Sequence, residues 1–216
     1  MPITLSPMTP PDAPAQTALM NAAFGPDLMS VFYPTGCPPD AAAHMTAVNV
    51  KTIQKAAAHP DELLFVKAVE ADGQVVATAK WEIHARQRTE AELDREDEEG
   101  HRDPPPGANA EAMGAFFGEL GRKRREIFGG EPYMLLSILV VHPGHQRKGL
   151  GAMLLEDGLR RADELGLRAY LESSPKGKGL YAKWGFEEVG VMDFDAREWG
   201  REENVVHTLM IRPARK

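Results

Sequence analysis

The segment HPGHQRKGLGAML, His142 to Leu154, holds the densest set of residues in this chain that could do chemistry. Gln146, Gly149 and Gly151 spell Q-x-x-G-x-G between an apolar run and an amphipathic stretch. Glycines lack the β-carbon that would hold a polyanion off the main chain. A helix beginning at such a loop aims several unpaired N–H groups and the positive end of its dipole at one spot. Arg147 and Lys148 add positive charge, either as direct contacts or as ordinary exposed cations. The pattern therefore suits metal-free binding of a pyrophosphate.

Two other phosphate loops fit less well. Gly144 and Gly149 have the separation of G-x-x-x-x-G-K-[ST], but Leu150 and Gly151 stand where the lysine and hydroxyl must be. That excludes a nucleoside-triphosphatase loop. The dinucleotide fingerprint G-x-G-x-x-G starts at Gly149 and fails at Leu154. Asp163 and Glu164 read as helix-surface residues rather than ribose ligands. Among the seven histidines there is no H-E-x-x-H, and His142 with His145 has no third ligand, so no metal is predicted.

The loop needs a strand before it and a helix after it. YMLLSILVV, Tyr133 to Val141, reads as a central strand buried on both faces. Leu154, Leu155, Leu159, Ala162 and Leu165 recur at helical spacing, and Gly166 ends the helix. RAYLES, Arg168 to Ser173, is a second strand, which makes a βαβ crossover. Earlier, Ile3 to Leu5 is a weak strand and Ala13 to Phe24 a short helix. Gly25 to Pro39 reads as irregular, and Asp40 opens a helix ending near Pro60. Two β-prone runs meet at Asp72-Gly73, a hairpin signal. Ala108 to Phe128 is helical, and its run Arg122-Lys123-Arg124-Arg125 reads as a solvated face. Late strands are expected at about Glu187 to Phe194 and Asn204 to Ile211.

Taken together, LLSILVVHPGHQRKGLGAML, the RAYLES strand and GLYAKWGF resemble the core of the GNAT acetyltransferase superfamily, which transfers acyl groups from acyl-CoA. The resemblance covers Leu135 to Gly190, about a quarter of the chain. It implies an α/β fold with a mixed, mostly antiparallel sheet and a central splayed parallel pair flanked by helices. Residues 1–216 would be one domain, with an acyl-CoA core at 133–190 and an acidic, mobile insertion at 86–107. Acetyl-CoA would lie between the two core strands. Its amides would meet backbone at Leu139, Val140 and Val141, and its pyrophosphate would meet the loop from Gln146 through Arg147, Lys148, Gly149, Leu150 and Gly151 to Ala152. Ser174 follows the second strand on the same cleft.

Acyl transfer to an amine passes through a tetrahedral intermediate and expels a thiolate, so the amine must lose a proton and the sulfur gains one. By the family pattern Tyr181 is the acid, and an N–H near Val141 meets the oxyanion. Glu82 or Glu172 could serve as base, directly or through water, and either could equally be a strand-end charge. Phe24, Met29, Phe32, Tyr33 and Trp199 could wall an acceptor pocket. Asp193, Asp195, Glu198 or Glu172 could hold an ammonium. Direct transfer to a small primary amine is expected, with a protein or peptide acceptor second. A non-catalytic acyl-CoA sensor and a site for another nucleotide pyrophosphate are the rivals.

Composition bounds this reading. The chain has 216 residues, 43% hydrophobic and 26% charged, with a net charge of −7. Glu90 to Asp103 holds eight acidic residues against two arginines, so nearly all of the excess is local. No basic, aromatic-studded surface points to nucleic acid. The single cysteine, Cys37, excludes an internal disulfide and reads as a small buried hydrophobe. MPITLSPMTPPDAPAQ lacks the basic and apolar regions of a signal peptide, and no apolar run reaches about 18 residues. A cytoplasmic protein without membrane partner, monomer or homodimer, is expected.

Overall fold

Tyr133–Val141 (β4) is central because eight of its nine residues are apolar, so both faces can be covered. Around it, the computed structural model, which describes residues 2–23, 26–99 and 104–215, builds one seven-stranded sheet. The other strands are β1 (Ile3–Pro7), β2 (Leu63–Glu70), β3 (Val75–His84), β5 (Ala169–Ser173), β6 (Glu187–Phe194) and β7 (Val205–Arg212). Their order is β1-β2-β3-β4-β5-β7-β6, and every pair is antiparallel except β4–β5. The β2–β3 hairpin turns at Gly73, whose φ of +89° is left-handed.

Side-chain alternation sorts the sheet into two faces. On one, Trp81, Met134, Leu171 and Met210 pack under α6 (Leu150–Leu165), which contributes Leu154, Leu155, Leu159 and Ala162. Gly158 of α6 lies directly on Trp81, since a β-carbon there would stand 2.1 Å from the indole nitrogen. Arg212 of β7 ties down the end of α6 through two bonds to Asp163, 2.7 and 2.8 Å. α6 stops where Gly166 adopts φ +65°.

The other face is covered by α1 (Ala13–Ala23), α2 (Pro26–Phe32), α3 (Pro39–Ala58) and α5 (Ala110–Phe128). Here Tyr133, Leu135, Tyr170 and Leu209 meet Phe116, Leu120 and Phe128 of α5. Gln16 of α1 accepts a buried 2.6 Å bond from Thr78 of β3. Among the described residues, no helix is long and apolar enough to cross a membrane.

Two expectations change, at Pro26–Phe32 and at Cys37. Pro26–Phe32 is a helix rather than irregular chain; Val31 and Phe32 are buried, and that packing outweighs the local Gly and Pro signals. Phe24 and Gly25 lie outside the described residues. Within the acidic stretch, Glu90–Glu99 forms α4, and its carboxylates are drawn to basic neighbours. Arg125 of α5 bridges to Glu90 and Asp94, and Arg88 binds Glu96 at 2.7 Å. Residues 100–103 of that stretch lie outside the described residues. Cys37 is exposed, because it follows α2 into a turn rather than into the core.

Candidate active site

β4 and β5 hold together at only two residue pairs, Met134 with Ala169 and Leu135 with Tyr170. Beyond Leu135 the strands part, and the β4 edge from Leu136 to Val141 pairs only with β3. A register shift between Lys80 and Trp81 leaves Ser137 without a cross-strand partner, a bulge that bends β4. The open edge is a row of backbone groups ready to pair with an added strand-like ligand. Val140 is itself buried, so only its backbone is on offer, while Leu139 and Val141 pack toward α6.

The loop at the end of β4 is fixed by its own bonds. His142 Nδ1 accepts from the Gly144 N–H, and the Gln146 side chain donates to the Val141 carbonyl at 3.3 Å. Arg147 takes φ +62°, a left-handed conformation uncommon outside glycine, and Gly149 takes φ +86°. That turn reverses the chain into α6. Its first helical amide bond runs from Met153 to the Gly149 carbonyl, so the N–H groups of Leu150, Gly151 and Ala152 precede the intrahelical ladder. The Leu150 side chain is buried, which leaves its backbone for any ligand. A β-carbon on Gly151 would press Leu180 at 3.3 Å, so glycine lets α7 (Lys178–Lys183) close on the start of α6. α7 carries Tyr181, whose ring sits where a β-carbon at Gly177 would be 2.9 Å away. Burial raises the Tyr181 phenol to about 12, so it stays protonated. A cradle of free N–H groups beside an unpaired strand edge fits CoA.

The second half of the site lies on the α5 face. Lys80, Glu82 and His84 of β3 share that face, opposite Trp81, and Lys80 Nζ is 3.2 Å from Glu82. Burial would raise the Glu82 carboxyl, but Lys80, then Arg124, outweigh it and bring it to about 2. Burial, then Arg88, lowers His84 to about 4, so its ring is neutral; it lies 4.9 Å from the Tyr133 ring. Arg124 donates to Glu172 through Nε at 2.7 Å and Nη2 at 3.0 Å. Tyr170 Oη and His207 Nδ1 are buried on the same face with no hydrogen-bond partner among the described residues. Burial, then Glu172, raises the Tyr170 phenol, and burial lowers His207.

Several expected site residues are placed differently. Glu172 is only 6% exposed and held by two guanidinium bonds, so it is not a free base. Asp193 lies between Met192 and Phe194, which point into the α5-side core. It therefore faces the opposite side of the sheet, exposed, where it accepts from Asn204 at 2.7 Å. Phe32 and Tyr33 are core residues, Phe32 packing against Phe116 and Phe117 of α5. Trp199 stacks on Phe194, and Asp195 caps the turn at Arg197. Ser174 is exposed beyond β5, where its carbonyl starts the turn into α7.

Sequence reasoning missed Arg124, Lys80 and His84. Arg124 had a signal: Ala112, Phe116, Leu120 and Phe128 are the buried stripe of α5, spaced by four, and 124 completes it. The run of basic neighbours masked that register.

Comparison with known proteins agrees with this fold. The profile of the acetyltransferase (GNAT) family matches residues 27–186, and the chain belongs to that family. It is thereby an N-acetyltransferase of a family that uses acetyl-CoA. Solved structures share the fold at low identity. Arylalkylamine N-acetyltransferase 2 from Aedes aegypti aligns with a TM-score of 0.69 and 11% identity over 100% of both chains. The Drosophila melanogaster polyamine N-acetyltransferase aligns at 0.65 and 12%, over 98% of this chain and 100% of that one. A Corynebacterium glutamicum structure described as histone acetyltransferase HPA2 and related acetyltransferase aligns at 0.60 and 18%, over 100% of this chain and 98% of that one.

Proposed function

We propose that this enzyme transfers acetyl directly from acetyl-CoA to a primary amine on a small molecule. The observation that carries the acceptor reading is the Arg124–Glu172 bridge. It spans from α5 to the end of β5, on the α5 face of the sheet beside the parted strands. An ion pair tying α5 to β5 there, with its carboxylate buried, leaves less room for an extended peptide than for a small amine. Two of the structural neighbours, an arylalkylamine and a polyamine acetyltransferase, act on small amines.

The roles divide as follows. Acetyl-CoA, when bound, supplies the acetyl group as a reactive thioester. The N–H groups of Leu150, Gly151 and Ala152 bind its pyrophosphate without ordering any side chain, and the open edge of β4 orients the rest. Glu82, ionised at every working pH, attracts the acceptor ammonium into the groove. Such a weakly basic carboxylate does not itself pull the proton from an alkylammonium; the proton leaves to solvent, and the neutral amine reacts. Tyr181 holds its proton at Oη and presents it to the departing sulfur; the attacking nitrogen gives up its surplus proton to solvent as the amide forms, and solvent returns one to the phenol. Cys37 is exposed beyond the turn that follows α2, and direct transfer needs no covalent enzyme intermediate.

Thiol release from acetyl-CoA across a panel of small amines and N-terminal peptides tests the reading. Turnover with small primary amines is expected. Turnover confined to peptides would replace the acceptor class, and a flat panel with tight acetyl-CoA binding would make the chain a sensor.

A further inference from the structure

Between α1 and α3, above β2, β3 and β4, lies a cavity of about 150 Å³. Its lining includes Met20, Met45, Val48, Phe65 and Ile138, together with Lys80. Apart from Lys80 and the exposed Asn21, the polar side chains on its lining bond to one another or to the main chain. Asn49 donates to Thr17 Oγ1 at 3.0 Å, Thr17 pairs with Thr46 at 2.9 Å, and Thr52 donates to the Val48 carbonyl. What the cavity offers a ligand is therefore mainly hydrocarbon. Its position matters as much as its lining. Ile138 pairs across the sheet with Lys80 and follows Ser137, the bulged residue just past the last β4–β5 pair. Lys80 in turn touches Glu82, the anion assigned to the acceptor.

We infer that this cavity is the specificity pocket for the acceptor's tail: the substrate is a primary amine carrying a compact, uncharged hydrocarbon group about the size of a benzene ring. Apolar cavities of roughly this volume hold one such ring. The inference rests on the acceptor reading above and narrows it. The ammonium sits by Glu82 at the bulge, and the tail runs over Ile138 into the space between α1 and α3. A second positive charge on the tail would meet Lys80 with no free carboxylate beside it, because Glu82 is already shared.

The test compares 2-phenylethylamine, methylamine, 1,4-diaminobutane and phenylalanine as acceptors for the intact chain with acetyl-CoA, together with thermal-shift binding of each amine at saturating CoA. 2-Phenylethylamine should exceed methylamine in kcat/KM by about 100-fold, the order expected for burying one ring. In Val48→Trp and Met45→Trp, which fill the cavity from α3, that ratio should collapse toward one. Val48 is half exposed, so its variant tests the pocket even if Met45→Trp folds poorly. Equal use of 2-phenylethylamine and methylamine, or preference for the diamine or for phenylalanine, would overturn the pocket while leaving the transferase reading intact. Tail-dependent binding that Val48→Trp abolishes, without amine-dependent thiol release, would uphold the pocket and remove the transferase reading.

Discussion

Tyr181 and Glu82 both have protonation states held far from neutrality, one near 12 and the other near 2. His84, near 4, is neutral over the same range. None of the three titrates between about pH 5 and 9. The rate should therefore climb with pH along the ionisation of the acceptor itself, and replacing the amine by a less basic one should move that limb down by the difference in their pKa values. A limb that stays put as the amine changes would show that an enzyme group governs it. Tyr181→Phe should lower kcat by about 100-fold with little change in acetyl-CoA affinity. Unchanged kcat removes the phenol from the chemistry. Arg124→Ala strands a nearly buried carboxylate at Glu172 and should destabilise the fold by about 3 kcal/mol in urea titrations. The paired change Arg124→Met with Glu172→Met should recover most of that loss while lowering turnover.

The elements that place these groups differ in how openly the sequence declares them. Strand, glycine loop, helix and second strand are contiguous, so the donor half is a local signal; β4 occupies Tyr133–Val141 as its apolar run predicts. The proposed acceptor half is assembled from β3, α5, β5 and β7, whose relation exists only once the sheet has formed. Neither Glu82 nor Glu172 announces its partner, and the strand parity of Asp193 is fixed by Met192 and Phe194 packing inward. Arg124 was hidden because charge at the surface is the usual fate of a basic run. α2 was hidden because a seven-residue helix between Gly and Pro owes its stability to packing rather than propensity. One element contact makes a sharp prediction. Gly158→Ala drives a methyl into the Trp81 indole and should cost about 2–3 kcal/mol in unfolding experiments. A neutral effect would mean that α6 can lift from the sheet.

For the molecule as a whole, these same groups couple folding to acidity. His84 falls from 6.5 to about 4 on folding, so the unfolded chain binds the extra proton in that interval. Glu82 falls from 4.5 to about 2, and its contribution is lost as pH drops through that lower range. Both make stability rise with pH, His84 between about 4 and 6.5 and Glu82 below about 4.5. Urea midpoints should decline from pH 6.5 downward, and His84→Asn should flatten the upper part of that slope. An unaltered slope would exclude His84 as its source. The close seat of Gly158 on Trp81 has an optical consequence as well. The chain has three tryptophans, and Trp81 is fully buried with no hydrogen-bond partner for its indole N–H among the described residues. It lies under α6 about two turns from the loop proposed to receive the donor. Its emission, isolated by replacing Trp184 and Trp199 with Phe, becomes a built-in fluorophore reporting whether filling the donor seat moves the helix.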